Sequence, residues 1–151
     1  MFWIRRTLGI VISCWLAAPA CAFTFSYGNL FDVKDVQHKD GTLLLPRTNK
    51  KYTNVQILSK AVYETLRQCQ SDCNYPVAEK EFISQDYRPA KTQAKMLIAQ
   101  VRFNEDIQLT VLAFKEKDVI SVRMPPVVVF KDKELERQVQ EYVKQLARQV
   151  L

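Results

Sequence analysis

Two runs of alternating apolar and polar residues meet near the middle of the chain, and they set the terms for everything around them. In KMLIAQVRF, Leu97, Ala99, Val101 and Phe103 alternate with Gln100 and Arg102; in DIQLTVLAF, Ile107, Leu109, Val111 and Ala113 are set against Gln108 and Thr110. Successive side chains of a strand point to opposite faces, so each run describes a strand that buries one face only. Asn104 and Glu105 form a short polar link, which predicts a β-hairpin. KEKD then turns the chain into VISVRM, and VVVF follows Pro125 and Pro126. Proline has no N–H to give to a ladder, so the pair marks a bulge, a sheet edge or a break between two short strands. The expected product is an antiparallel meander of three to five strands.

Helices flank it. In KDKELERQVQEYVKQLARQVL, residues Leu135, Val139, Tyr142, Val143, Leu146 and Val150 fall on an arc about 100° wide at the helical period. Asp132 is placed to cap the start, Glu134 and Glu136 suit the positive end of the dipole, and Lys144 and Arg148 suit the negative end. A shorter helix is predicted for SKAVYETLRQC, with Ser59 as cap and Val62, Leu66 and Cys69 on one face. For YTNVQIL, Thr53 and Gln56 resemble a capping box, whereas Thr53, Val55 and Ile57 alternate as a strand would. The strand is preferred, paired with TLLLP across the polar RTNKK link. From Ser71 to Lys91 periodicity fades between Pro76 and Pro89, which predicts a long connection, either a recognition surface or scaffolding. The fold class is α+β, a meander with the C-terminal amphipathic helix and the shorter helix packed on it.

The first residues, MFWIRRTLGIVISCWLAAPACAF, have the order of a secretory signal peptide: Arg5 and Arg6, an apolar stretch from Leu8 to Ala18, then small side chains. Ala20 and Ala22 fit the two positions a signal peptidase must accept, which places cleavage before Phe23. Lipidation of Cys21 is the minor alternative. The apolar stretch falls short of the roughly 20 residues that cross a hydrocarbon core, so no span is expected in the mature chain. Removal of residues 1–22 from 151 leaves 129, a length suited to a single core. It also takes two of the 22 basic residues and lowers the formal charge from +6 to +4. Twenty basic side chains among 16 acidic ones describe a solvated surface, and nucleic acid is not an expected partner.

Cys69 and Cys73 are the cysteines of residues 23–151. In an oxidising compartment two thiols four positions apart at a helix end form a disulfide by default. Thiol chemistry favours the Cys-x-x-Cys spacing with its first thiolate at a helix N-terminus, and Cys69 falls at a C-terminus. A zinc site needs four ligands, for which two cysteines and His38 do not suffice, so neither metal nor cofactor is expected. His38 lies in the polar stretch DVQHKDG and reads as a solvated turn histidine. Gly28 and Gly41 are too few for a loop that cradles phosphate. Glu79, Glu81 and Asp86, among Tyr75, Phe82 and Tyr87, are the composition of a carboxylate enzyme or a sugar cleft, although loop charges ordinarily face solvent.

These features describe an exported, non-catalytic binding or structural module, periplasmic or secreted, that contacts a protein or cell-wall partner. A small enzyme using the loop carboxylates, or thiol–disulfide chemistry, is the alternative. Partner contact is expected from Phe82 and Tyr87 with Arg88 at the rim. The basic turn carrying Arg47, Lys50 and Lys51 is the second candidate surface.

Overall fold

The computed structural model describes residues 22–46, 53–78, 82–90 and 93–151, with the backbone course alone for 82–90, 93 and 94. Among these residues ten strands and two helices follow in order: β1 (Phe23–Tyr27), β2 (Phe31–Lys39), β3 (Thr42–Leu44), β4 (Val55–Ile57), α1 (Lys60–Gln68), β5 (Cys73–Tyr75), β6 (Phe82–Ala90), β7 (Gln93–Phe103), β8 (Ile107–Glu116), β9 (Val119–Arg123), β10 (Val128–Phe130) and α2 (Lys133–Val150). The fold class is α+β, as the sequence predicts.

The strands form two sheets. In the second, β6, β7, β8 and β9 each pair antiparallel with the next, and β4 joins the start of β8. The hairpin of β7 and β8 has the expected register, from Phe103 opposite Ile107 to Met96 opposite Phe114. The first sheet runs β10-β2-β1-β5, with β3 on the far end of β2. It is mixed, because β1 pairs antiparallel with β2 and parallel with β5.

Two expectations are corrected, and one stretch without a predicted element forms strands. YTNVQIL does supply a strand, β4, but it pairs with β8, while TLL pairs with β2 as β3. The segment read as a long connection holds two strands, β5 and the nine-residue β6. FTFSYGNLF, for which the pattern predicts no element, forms β1 and the start of β2, and is deeply buried: Phe25, Tyr27 and Phe31 are at most 1% exposed.

One core joins both sheets and both helices. Phe31 of β2 meets Phe103 of β7 edge to face at 5.1 Å and Phe130 of β10 at 5.3 Å. The proline pair therefore marks a break: the chain leaves the second sheet after Arg123 and enters the first at Val128. Asp132 caps α2, accepting from the Leu135 N–H at 3.0 Å, and Leu135, Val139, Val143 and Ala147 form its buried stripe. Ala147 takes the place expected of Leu146, which is half-buried, and Tyr142 is exposed.

Candidate functional site

The disulfide forms at the end of α1. Ser59 caps that helix through its hydroxyl, which accepts from the Val62 N–H at 3.2 Å, and Val62 and Leu66 are buried. Cys69 is the C-cap, and its Sγ lies 2.08 Å from Sγ of Cys73, the first residue of β5. The bond therefore ties a helix end to a strand, since Cys73 stands beside Phe25 in the parallel pairing. His38 is not a solvated turn residue. It lies in β2, stacked on Phe23 at 5.4 Å, and its Nε2 donates to the Cys69 carbonyl at 2.8 Å. A helix ends with carbonyls that have no partner within the helix, and the imidazole satisfies this one. At a helix C-terminus the dipole disfavours a thiolate, and Cys69 is only 8% exposed. The arrangement is that of a staple.

A second polar cluster joins the two sheets. Tyr27 is fully buried, and its hydroxyl donates to Asp106 Oδ2 at 2.6 Å while accepting from Asn104 Nδ2 at 3.1 Å. Burial, and then the bond to the Asp106 carboxylate, raise its pKa well above the ordinary tyrosine range. Tyr75 stacks on it with rings 5° from parallel. Close by, Gly28 has φ of +56°, and a Cβ there would stand 2.9 Å from Cβ of Val77, so the turn after β1 requires glycine on both counts.

The face of the second sheet turned away from α2 is polar at its centre. Register aligns Gln56, Gln108 and Arg102 across β4, β8 and β7, with Thr110 opposite Gln100 one step on. Gln108 Nε2 donates to Oε1 of Gln56 at 3.1 Å and to Oε1 of Gln100 at 3.0 Å, and both Gln108 and Thr110 are 7% exposed. Among the described residues Arg102 Nε is buried in this row without a hydrogen bond. Such a donor costs free energy unless something accepts from it. Further along, the Arg123 guanidinium lies over the Phe114 ring at 5.0 Å. None of these residues was singled out from sequence. Their signal was present in the polar half of the alternation, which ordinarily means only a solvated face.

Of the expected partner-binding residues, Phe82, Tyr87 and Arg88 lie on one strand, β6, at the edge of this sheet. Phe82 stands opposite Phe103, Tyr87 opposite Ala99 and Arg88 opposite Ile98. Asp86 stands opposite Gln100, and Glu79 and Glu81 lie outside the described residues. Arg47, Lys50 and Lys51 also lie outside them. At the opposite edge, Lys115, Asp118, Val119, Ile120 and Arg148 line an open concavity of 480 Å³ between β9 and the end of α2. Among the described residues no group of three or more His, Cys, Asp or Glu side chains is placed to hold a metal, and no helix is long and apolar enough to cross a membrane. Comparison with protein-family models, with curated proteins and with solved structures finds no match to the chain.

Proposed function

We propose that this is an exported, non-catalytic binding module of the cell envelope or the secreted fraction, which contacts a protein or cell-wall partner through the polar face and β6 side of its second sheet. The observation that carries this reading is the buried Arg102 Nε–H, a donor without an acceptor among the described residues, in a row of amides. A partner oxygen would satisfy it once the Arg102 side chain turns out of the row on binding, because Nε is buried in the free protein. At the edge next to that row, β6 carries Arg88 in register with the row's face, opposite Ile98, and Phe82 and Tyr87 in register with the other face, opposite Phe103 and Ala99, and large aromatic and arginine side chains dominate the energetics of recognition surfaces. Export agrees with the leader-like first 22 residues and with the disulfide, and β1 begins at Phe23, the residue expected to start the mature chain.

Crosslinking and capture from the native envelope tests the proposal. Wild-type protein should retain a partner, and Phe82→Ala, Tyr87→Ala and Arg102→Ala should weaken capture while leaving the melting temperature nearly unchanged. If the substitutions at Phe82 and Tyr87 destabilise the isolated protein and leave capture intact, the strand is scaffolding and the basic segment at Arg47, Lys50 and Lys51 becomes the surface to test. Export has its own check, because N-terminal sequencing should begin at Phe23. A lipid-modified Cys21 or an intact Met1 would overturn it.

A further inference from the structure

We propose that β9 is a self-association edge, at which a second copy of the chain pairs antiparallel about a two-fold axis midway between the two copies' Ser121 residues. The turn before β9 fixes which of its backbone groups are open. Lys117 and Asp118 have φ of +50° and +65°, the signature of a two-residue type I′ hairpin, and Glu116 stands opposite Val119. In such a hairpin the closing pair is a hydrogen-bonded one, and the pattern then alternates along the ladder. Val119, Ser121 and Arg123 therefore direct their N–H and C=O groups toward β8. Ile120 and Val122 direct theirs to the free edge.

Natural sheets blunt such edges with shortness, bulges, proline or inward-pointing charge. The other strands that could present an edge do so here. β3, β4, β5 and β10 have three residues each, and β6 contains Pro89 and two register shifts. β9 has neither bulge nor proline, and its one charged residue is the terminal Arg123. It runs in unbroken register with β8, contains neither proline nor lysine, and leaves Val119 66% exposed beside the open concavity.

The sequence of the edge complements itself. With the axis between the two Ser121 residues, Ile120 pairs with Val122 of the second copy and Val122 with its Ile120, so each open N–H meets an open C=O. Serine faces serine across the axis, a pairing that contributes in antiparallel sheets. Val119 then stands opposite Arg123 of the second copy, whose aliphatic stem covers it. On the other side of Val119, on the same face, stands the exposed Glu116. The guanidinium exchanges the Phe114 ring of its own chain for a carboxylate of its neighbour, and symmetry provides this contact twice. The interface is isologous, as closed dimers require.

Sedimentation of the purified protein over a range of concentrations, combined with amide exchange, tests the proposal. A reversible dimer is expected in which the Ile120 and Val122 amides become protected as association proceeds, while those of Val119, Ser121 and Arg123 are protected in monomer and dimer alike. Arg123→Glu should weaken association by about tenfold, because two cross-strand pairs turn repulsive. Glu116→Arg added to Arg123→Glu should restore it, which a merely misfolded variant cannot do. A monomer at every concentration overturns the proposal, as does a dimer whose Ile120 and Val122 amides stay fast or one indifferent to both charge changes. Neither result bears on partner capture at β6.

Discussion

Tyr27 shows how one hydroxyl binds two sheets. Its ring belongs to the core of the first, and its oxygen reaches Asp106 and Asn104 in the turn that joins β7 to β8. Tyr27→Phe keeps the ring and removes the bond to a carboxylate, which should cost about 1–3 kcal/mol in urea unfolding near neutral pH. The pH dependence has a definite sign. Burial and the Asp106 bond raise the folded pKa above the unfolded value of about 10. Between neutral pH and about pH 10 both states hold the tyrosine proton and the full contribution is present. Above it the unfolded chain releases the proton first, so stability falls as pH rises. The gap between wild type and Tyr27→Phe should therefore be constant between neutral pH and about pH 10 and shrink above it. The disulfide is a smaller matter. Closing so short a loop stabilises by about 2 kcal/mol on the chain-entropy estimate, so Cys69→Ala with Cys73→Ala should lower stability by that order and leave a folded protein. Val62 and Leu66 still hold α1 in the core. Peptide mapping without reductant should recover residues 69 and 73 of the wild type as one linked species.

At the scale of elements, packing separates residues that the helical period treats as equal. Leu135 is 2% exposed at the first turn of α2, whereas Leu146 is half-buried because Ala147 occupies the centre of the stripe. An alanine there lets the helix approach the sheet more closely than a leucine would. Leu135→Ala should cost about 2–5 kcal/mol, and Leu146→Ala distinctly less, in thermal or urea unfolding. The hairpin of β7 and β8 and both helices with their serine and aspartate caps were legible in the sequence because their periods run unbroken and their partners are near in sequence. β6 was not, and its register says why. One extra residue between Ser84 and Asp86 resets the alternation, so Phe82 and Tyr87, five positions apart, stand opposite Phe103 and Ala99, four apart. β2 hides in the same way. Asp35, with φ of 61°, absorbs the extra residue of a bulge, and the buried set shifts from Phe31 and Val33 to Val36. β1 has a clean alternation of Phe23, Phe25 and Tyr27 with Thr24 and Ser26, but it follows directly on a segment whose pattern announces a leader. The pairing of β4 with β8 spans some 50 residues, and no local pattern distinguishes that partner from the nearer β3. As for the candidate site, the residue types on β6 stood out in sequence, whereas the amide row did not, because a glutamine on a solvated face and a glutamine in a buried ladder look alike.

For the whole molecule, the question is whether two sheets make one folding unit. The chain passes between them repeatedly: β1 to β3 build the first, β4 enters the second, β5 returns, β6 to β9 build the second, and β10 closes the first. Neither sheet is assembled from one stretch of sequence, so neither completes its hydrogen bonds without the other's strands being brought near. The contact between them is aromatic. Phe31, Phe103 and Phe130 meet with centroids 5.1 to 6.2 Å apart, and all three are at most 1% exposed. Removing the middle ring should weaken both sheets together. Phe31→Ala is expected to cost about 3–5 kcal/mol, as an aromatic truncation in a packed core does. The loss should shift a single transition and leave no sheet standing, because small domains with one core unfold in an all-or-none manner. Urea unfolding followed by far-UV circular dichroism and by tyrosine fluorescence checks this: coincident curves are expected for wild type and variant. Amide exchange adds the residue-level test, with the slowest amides of β1 and β2 and those of β7 and β8 opening at the same free energy. If Phe31→Ala separates the curves, or frees β1 and β2 while β7 and β8 stay protected, the sheets are independent folding units that share a wall of phenylalanines.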